Sequence, residues 1–212
     1  MPKRALLASL ALLAPASNGE EIVVPDDFPT VQGAIDAASD GDVVRIKPGV
    51  YLENLSLAGK TITLESTDGP EVTIIDANDT GTVITLESGE GPETLIRGLT
   101  LKGGNATGSA IYCLGSSPTI EDNVIRNNSA SSLGAATWFE QSAAVIRGNL
   151  IEDNVRDGIH AVSCALVIEQ NTIRGNGRGI SLRQCQGRIV SNLIEDNSST
   201  WFIATSRGDT FI

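Results

Sequence analysis

The chain has one histidine, His160, and it falls among the residues best suited to handling a sugar. Tyr112, Trp138 and His160 are spaced 26 and 22 residues apart, with Glu140 two residues after Trp138, Asp157 three before His160 and Arg183 23 after it. Flat aromatic faces stack on sugar rings, while carboxylates and basic groups bind hydroxyl and acid groups. Tyr112 and Trp138 are therefore the candidate ligand contacts, and His160, Glu140, Arg183 and Asp157 the candidate catalytic groups. A lyase needs a base beside a uronate carboxylate and positive charge, or Ca²⁺, to stabilise the developing anion. His160 or Arg183 would be that base. A glycosidase needs two carboxylates, here Glu140 and Asp157. The competing reading is structural. Exposed rings add cross-strand stacking, and Ser181 takes the place of His160 one repeat later.

An internal repeat must position these residues. Four segments share the form Asn-x-Ile-x-x-Asn, beginning at Asn123, Asn149, Asn171 and Asn192, with spacings of 26, 22 and 21. Ile120, Ile146, Ile168 and Ile189 sit three positions ahead of each. A period in the low twenties with β-branched residues predicts a β-solenoid. The leucine consensus of a horseshoe repeat is missing. Stacked about 4.8 Å apart, the coils pair their strands and share one core. Asparagine suits the corners, where left-handed backbone and axial side-chain hydrogen bonding are needed.

Counting back from the anchor isoleucines sets the facing. Ile111, Thr137, Ile159 and Ile180 point inward, with Cys113, Phe139, Ala161 and Leu182. Tyr112, Trp138, His160 and Ser181 form one outward stack, and Leu114, Glu140, Val162 and Arg183 another. Elsewhere Arg97, Glu121, Arg147 and Glu169 alternate in sign, as do most of Lys102, Arg126, Glu152, Arg174 and Glu195. Such alternation stabilises adjacent strands and supports the register. Cys164 and Cys185 fall at one place in adjacent coils, within reach of a disulfide or of stacked thiols, and Cys113 is buried alone.

The expected fold is thus all-β, a single-stranded right-handed parallel β-helix with a short N-terminal capping helix. Residues 1–16 read as a signal peptide: Lys3 and Arg4, an apolar run to Ala14, then Ala14-Pro15-Ala16. Residues 17–41 hold a first strand and the helix, with Thr30 as its N-cap, and residues 42–212 hold the coils. Trp201–Thr205 reads as one more strand, and no polar cap follows it. Either the natural chain is longer, or the end folds back, or another subunit covers it by end-to-end association. Arg207-Gly208-Asp209 reads as a chance tripeptide.

Two stretches carry a family resemblance. The capping helix followed by Gly41-Asp42-x-Val44-x-Ile46-x-Pro48-Gly49-x-Tyr51-x-Glu53 resembles the start of the pectin-lyase-like superfamily. Within it, Gly49, Tyr51 and Glu53 are similar to a motif of pectin methylesterases. Ser117-Pro-Thr-Ile-Glu-Asp-Asn123 and its later copies resemble bacterial right-handed β-helix proteins. The resemblance implies the fold. The paired Gln, paired Asp and Arg of the esterases have no counterpart, and the catalytic segments of polygalacturonases and alginate epimerases are likewise missing.

Charge narrows the partners. Losing Lys3 and Arg4 with the leader moves the formal net charge from −11 to −13. That disfavours nucleic acid and direct binding of polyanionic sugars, unless Ca²⁺ bridges the two. No later segment is long and apolar enough to span a membrane. The expectation is a secreted, noncatalytic module that meets a polysaccharide or cell-surface component. The alternative is a polysaccharide lyase, hydrolase, esterase or epimerase acting on uronate-rich polymers.

Overall fold

The computed structural model describes residues 19–130 and 134–199, together with the backbone of residues 202–204. The fold is the expected right-handed parallel β-helix, about eight turns with one short helix. After the first coil, which gives one strand and the helix, every coil places one short strand in each of three parallel sheets. The first sheet runs from Glu21–Val24 to Gln186–Val190 in eight strands. The second runs from Gly49–Leu52 to Leu193–Glu195 and the third from Leu55–Ser56 to Phe202–Ala204, each in seven. Residues 1–16, expected as a signal peptide, and Trp201 and Arg207–Asp209 lie outside the described residues. Among the described residues, no helix is long and apolar enough to cross a membrane.

Columns of inward side chains make the core. Ile96, Ile120, Ile146 and Ile168 stack in register on the first sheet, and Leu101, Ile125, Ile151 and Ile173 on the second. Each such isoleucine contributes about 2 kcal/mol of apolar burial, which one coil in isolation would not secure. On the third sheet Ile111, Thr137, Ile159 and Ile180 align as expected. Thr137 is tolerated inside because its hydroxyl donates to the Gly158 carbonyl at 2.9 Å.

The asparagines form two buried ladders at the corners flanking the second sheet. Asn123 donates to Asn149, Asn149 to Asn171 and Asn171 to Asn192, at 2.9–3.2 Å between side chains. Asn128, Asn154, Asn176 and Asn197 repeat the pattern at 2.9–3.1 Å. The left-handed backbone expected of these asparagines belongs instead to the residue before each: Asp122, Gly148, Gln170 and Ser191 ahead of the first ladder, with φ between 53° and 65°. The corner turns on that residue, which frees the asparagine to point inward and satisfy the carbonyls the corner leaves unpaired. At Gly148 a Cβ would stand 2.2 Å from an Asp122 carboxylate oxygen, so a side chain there would have to displace that carboxylate.

The charge columns are real and extend further than their anticipated members. Glu65, 5% exposed, lies between Arg45 and Arg97, and Arg147 pairs with Glu121 at 2.7 Å. Asp76 pairs with Lys102, and Glu152 with Arg174 at 2.8 Å.

The helix Val31–Ala37 covers the open N-terminal end of the core with Val31, Ala34 and Ile35. Thr30 caps it by accepting from the Gly33 N–H. The Glu53 carboxylate completes the cap, accepting from the N–H groups of Val31 and Gln32 at 2.8 Å each. Negative charge at a helix N-terminus is favourable. The Tyr51 hydroxyl donates to the Lys47 carbonyl, and a Cβ on Gly49 would press to 3.2 Å from the Tyr51 ring. Glu53 thus ties the cap to the first coils, while Gly49 and Tyr51 fit each other beside the Lys47 carbonyl.

Candidate functional site

The third sheet carries the face singled out by residue type. Its outward column runs Tyr112, Trp138, His160, Ser181 in consecutive strands, and the next runs Leu114, Glu140, Val162, Arg183. A strand needs only period-two alternation to present both columns on one surface. The Trp138 and His160 rings stack with centroids 4.3 Å apart and planes inclined by 29°. The Trp138 indole N–H is buried and has no hydrogen-bond partner among the described residues. Ser181 occupies the outward column yet is only 7% exposed.

A groove of ≈ 750 Å³ opens on this face, with Trp138, Glu140, Asp157, His160 and Arg183 on its walls together with Arg156 and Arg178. Five of the six residues expected on this face are therefore brought together. Tyr112 is one coil earlier and is not among the described lining residues. Burial raises the Tyr112 phenol pKa, and the charges of Glu140 and Glu87 raise it further.

Asp157 is the best-anchored group of the site. It begins the strand Asp157–Val162, pairs in register with Arg178, and its side chain is 4% exposed. One carboxylate oxygen accepts from Arg178 Nε at 2.6 Å, and the other lies 3.3 Å from His160 Nδ1. Burial alone would raise its pKa. The hydrogen bonds from His160 and Arg178, with the charge of Arg178, outweigh that and hold it below the usual carboxylate range. Asp157 is therefore an ionised anchor that orients an imidazole and a guanidinium.

Arg178 and Arg156 were not singled out by residue type. The signal for Arg178 was available, because it follows Asp157 by 21 residues, one coil, and repeats the opposite-sign stacking of the charge columns. Arg156 precedes Asp157 on a corner, where the repeat gives no facing. Together with Arg183 they place three arginines against two carboxylates, leaving the groove one positive charge in excess on a chain of net charge −11. Among the described residues neither Arg156 nor Arg183 forms an ion pair, while Arg178 pairs with Asp157. The sequence-level objection to anionic sugars rested on total charge, and the local charge here has the other sign.

Among the described residues no cluster of three or more His, Cys, Asp or Glu side chains stands ready for a metal.

The family described as right-handed β-helix region matches residues 61–212. No curated protein matches. Among solved structures, pectin methylesterase from carrot is 15% identical over 96% of this chain and 90% of that one, with a TM-score of 0.50. Pectin methylesterase from Aspergillus niger is 15% identical over 93% of both chains, with a TM-score of 0.36. A pectin methylesterase in complex with a hexasaccharide is 14% identical over 82% of this chain and 56% of that one, with a TM-score of 0.38. At these identities the likeness is one of fold.

Proposed function

This chain belongs to the right-handed β-helix family, and on that scaffold we propose a secreted module whose third-sheet groove binds an acidic glycan without transforming it. The observation that carries the reading is the Trp138–His160 stack set among Arg156, Arg178 and Arg183. An aromatic platform takes the apolar face of a sugar ring. Arg156 and Arg183, which form no ion pair among the described residues, take its carboxylate, with the planar geometry suited to bidentate pairing. The similar carrot structure is a pectin methylesterase, in keeping with a carbohydrate ligand. Export rests on the basic and apolar pattern of residues 1–16.

The state of Asp157 supports recognition over hydrolysis. A carboxylate held ionised by Arg178 and His160 is a poor proton donor. Glu140 is then left as the lone candidate acid on the described walls, and a glycosidase needs a second carboxylate. One contact favours a second reading. Asp157 at 3.3 Å from His160 Nδ1 orients the ring and would leave Nε2 as a base, which a uronate lyase could use.

Glycan-array binding tests the first reading. Acidic oligosaccharides should bind, and Trp138→Ala should weaken them about tenfold, equivalent to ~1.4 kcal/mol, while His160→Ala retains most of the affinity. The second reading predicts unsaturated product, followed by absorbance, from uronate polymers with or without Ca²⁺, lost in His160→Ala. Equal binding by the Trp138→Ala and parent proteins would refute the groove as the site.

A further inference from the structure

The corner between the third and first sheets carries an inward column that the groove does not use. Ser116, Ser142, Cys164 and Cys185 succeed one another there, all buried. The Ser116 hydroxyl donates to Glu90 at 2.6 Å, and the Ser142 N–H donates to the Cys164 sulfur at 3.4 Å. Cys164 and Cys185 complete the column, their thiols donating to the Val162 and Arg183 carbonyls at 3.2 Å each. The residues that follow, Ala165 and Gln186, are paired in register, so the two cysteines stand on adjacent coils. Adjacent coils are about 4.8 Å apart, within the Cα separation of about 4.4–6.8 Å that disulfides span.

We infer that Cys164 and Cys185 are the site of a cross-coil disulfide that locks together the two coils bearing His160, Asp157, Arg178 and Arg183. Three features carry this. Both thiols are buried at the same corner of adjacent coils, one residue ahead of the register pair Ala165 and Gln186. A second groove, of ≈ 490 Å³ and lined by Cys164 with Gln141, Ser163 and Gln184, leads a small oxidant to one of them. Val162 and Arg183 lie two positions ahead of the two cysteines, so the link would sit directly behind the glycan groove. Cys113 lies against Ser142 of the following coil, where the column holds a serine and not a cysteine, so it is left out of the pair.

The oxidant is a small disulfide. The Cys164 thiolate attacks one of its sulfurs, forming a mixed disulfide and releasing one thiolate. Cys185 loses its proton and attacks the Cys164 sulfur, releasing the second. The protein gives up two electrons and two protons, and the oxidant leaves as two thiols. The hydrogen bond to Cys185 and burial hold the Cys164 pKa well above the ordinary thiol range, so the reaction should accelerate as pH rises.

The test is intact mass and peptide mapping of the purified chain, residues 17 onward, incubated with hydroxyethyl disulfide and then alkylated under denaturing conditions. The expected product has lost two hydrogens, yields a Cys164–Cys185 linked peptide, carries alkylation at Cys113, and melts about 5 °C higher than the reduced protein. A stable mixed disulfide on Cys164, two alkylatable thiols after prolonged oxidation, or a lower melting temperature in the linked form would overturn the inference. Glycan binding by either form is read separately, so failure of the disulfide leaves the binding result standing, and the reverse.

Discussion

Asp157 ties the chemistry of the groove to the stability of the fold. Its carboxylate has a depressed pKa in the folded chain, from the Arg178 and His160 hydrogen bonds acting against burial. A depressed acid contributes stability that is present above its unfolded pKa, near 4, and is lost as pH falls through the folded value. Thermal midpoints of the parent should therefore fall more steeply below about pH 4 than those of Asp157→Asn. Equal slopes would show that Arg178 and His160 do not hold the charge. At neutral pH the same substitution leaves a half-exposed guanidinium without its partner. It should also disorder the Trp138–His160 stack, visible in tryptophan fluorescence.

The asparagine ladders are the element that makes one coil depend on the next. Asn149 donates to the Ile120 and Arg147 carbonyls and to Asn171, and it accepts from the backbone and side chain of Asn123. Asn149→Ala should cost about 3 kcal/mol in denaturant unfolding, because buried carbonyls and an N–H lose their partners. Arg147→Ala removes an exposed ion pair with Glu121 and should cost under about 1 kcal/mol. A ladder whose loss cost no more than the ion pair would mean that water replaces the amide. The recurring Asn-x-Ile-x-x-Asn was enough to locate both ladders. Which corner residue takes positive φ was not legible, because Asp122, Gly148, Gln170 and Ser191 share no side-chain chemistry and are equivalent only in backbone shape.

The molecule as a whole is a one-dimensional stack, with each coil touching its neighbours. Energetic effects should therefore be local. Glu53→Gln weakens the N-terminal cap at the Val31 and Gln32 N–H groups and should cost about 1 kcal/mol. Combined with Asn149→Ala, several coils away, its effect should add within about 0.5 kcal/mol in a double-mutant cycle. A larger coupling would show that the cap communicates along the axis. Charge is local in the same way, since an acidic chain presents a groove with an excess of arginine.

The sequence by itself determined the coil, its facing and its register. Period and alternation are properties of the backbone, and the isoleucines, asparagines and opposite charges repeat with it. It also gathered Trp138, Glu140, Asp157, His160 and Arg183 on one face, since register alone places them there. Only the tertiary structure decided how that face works. Arg156 enters from a corner of no fixed facing, Asp157 is committed to Arg178 and His160, and Tyr112 falls outside the described groove lining. Each of these depends on side-chain rotamers and corner geometry between coils, which a repeat with unequal coil lengths leaves open.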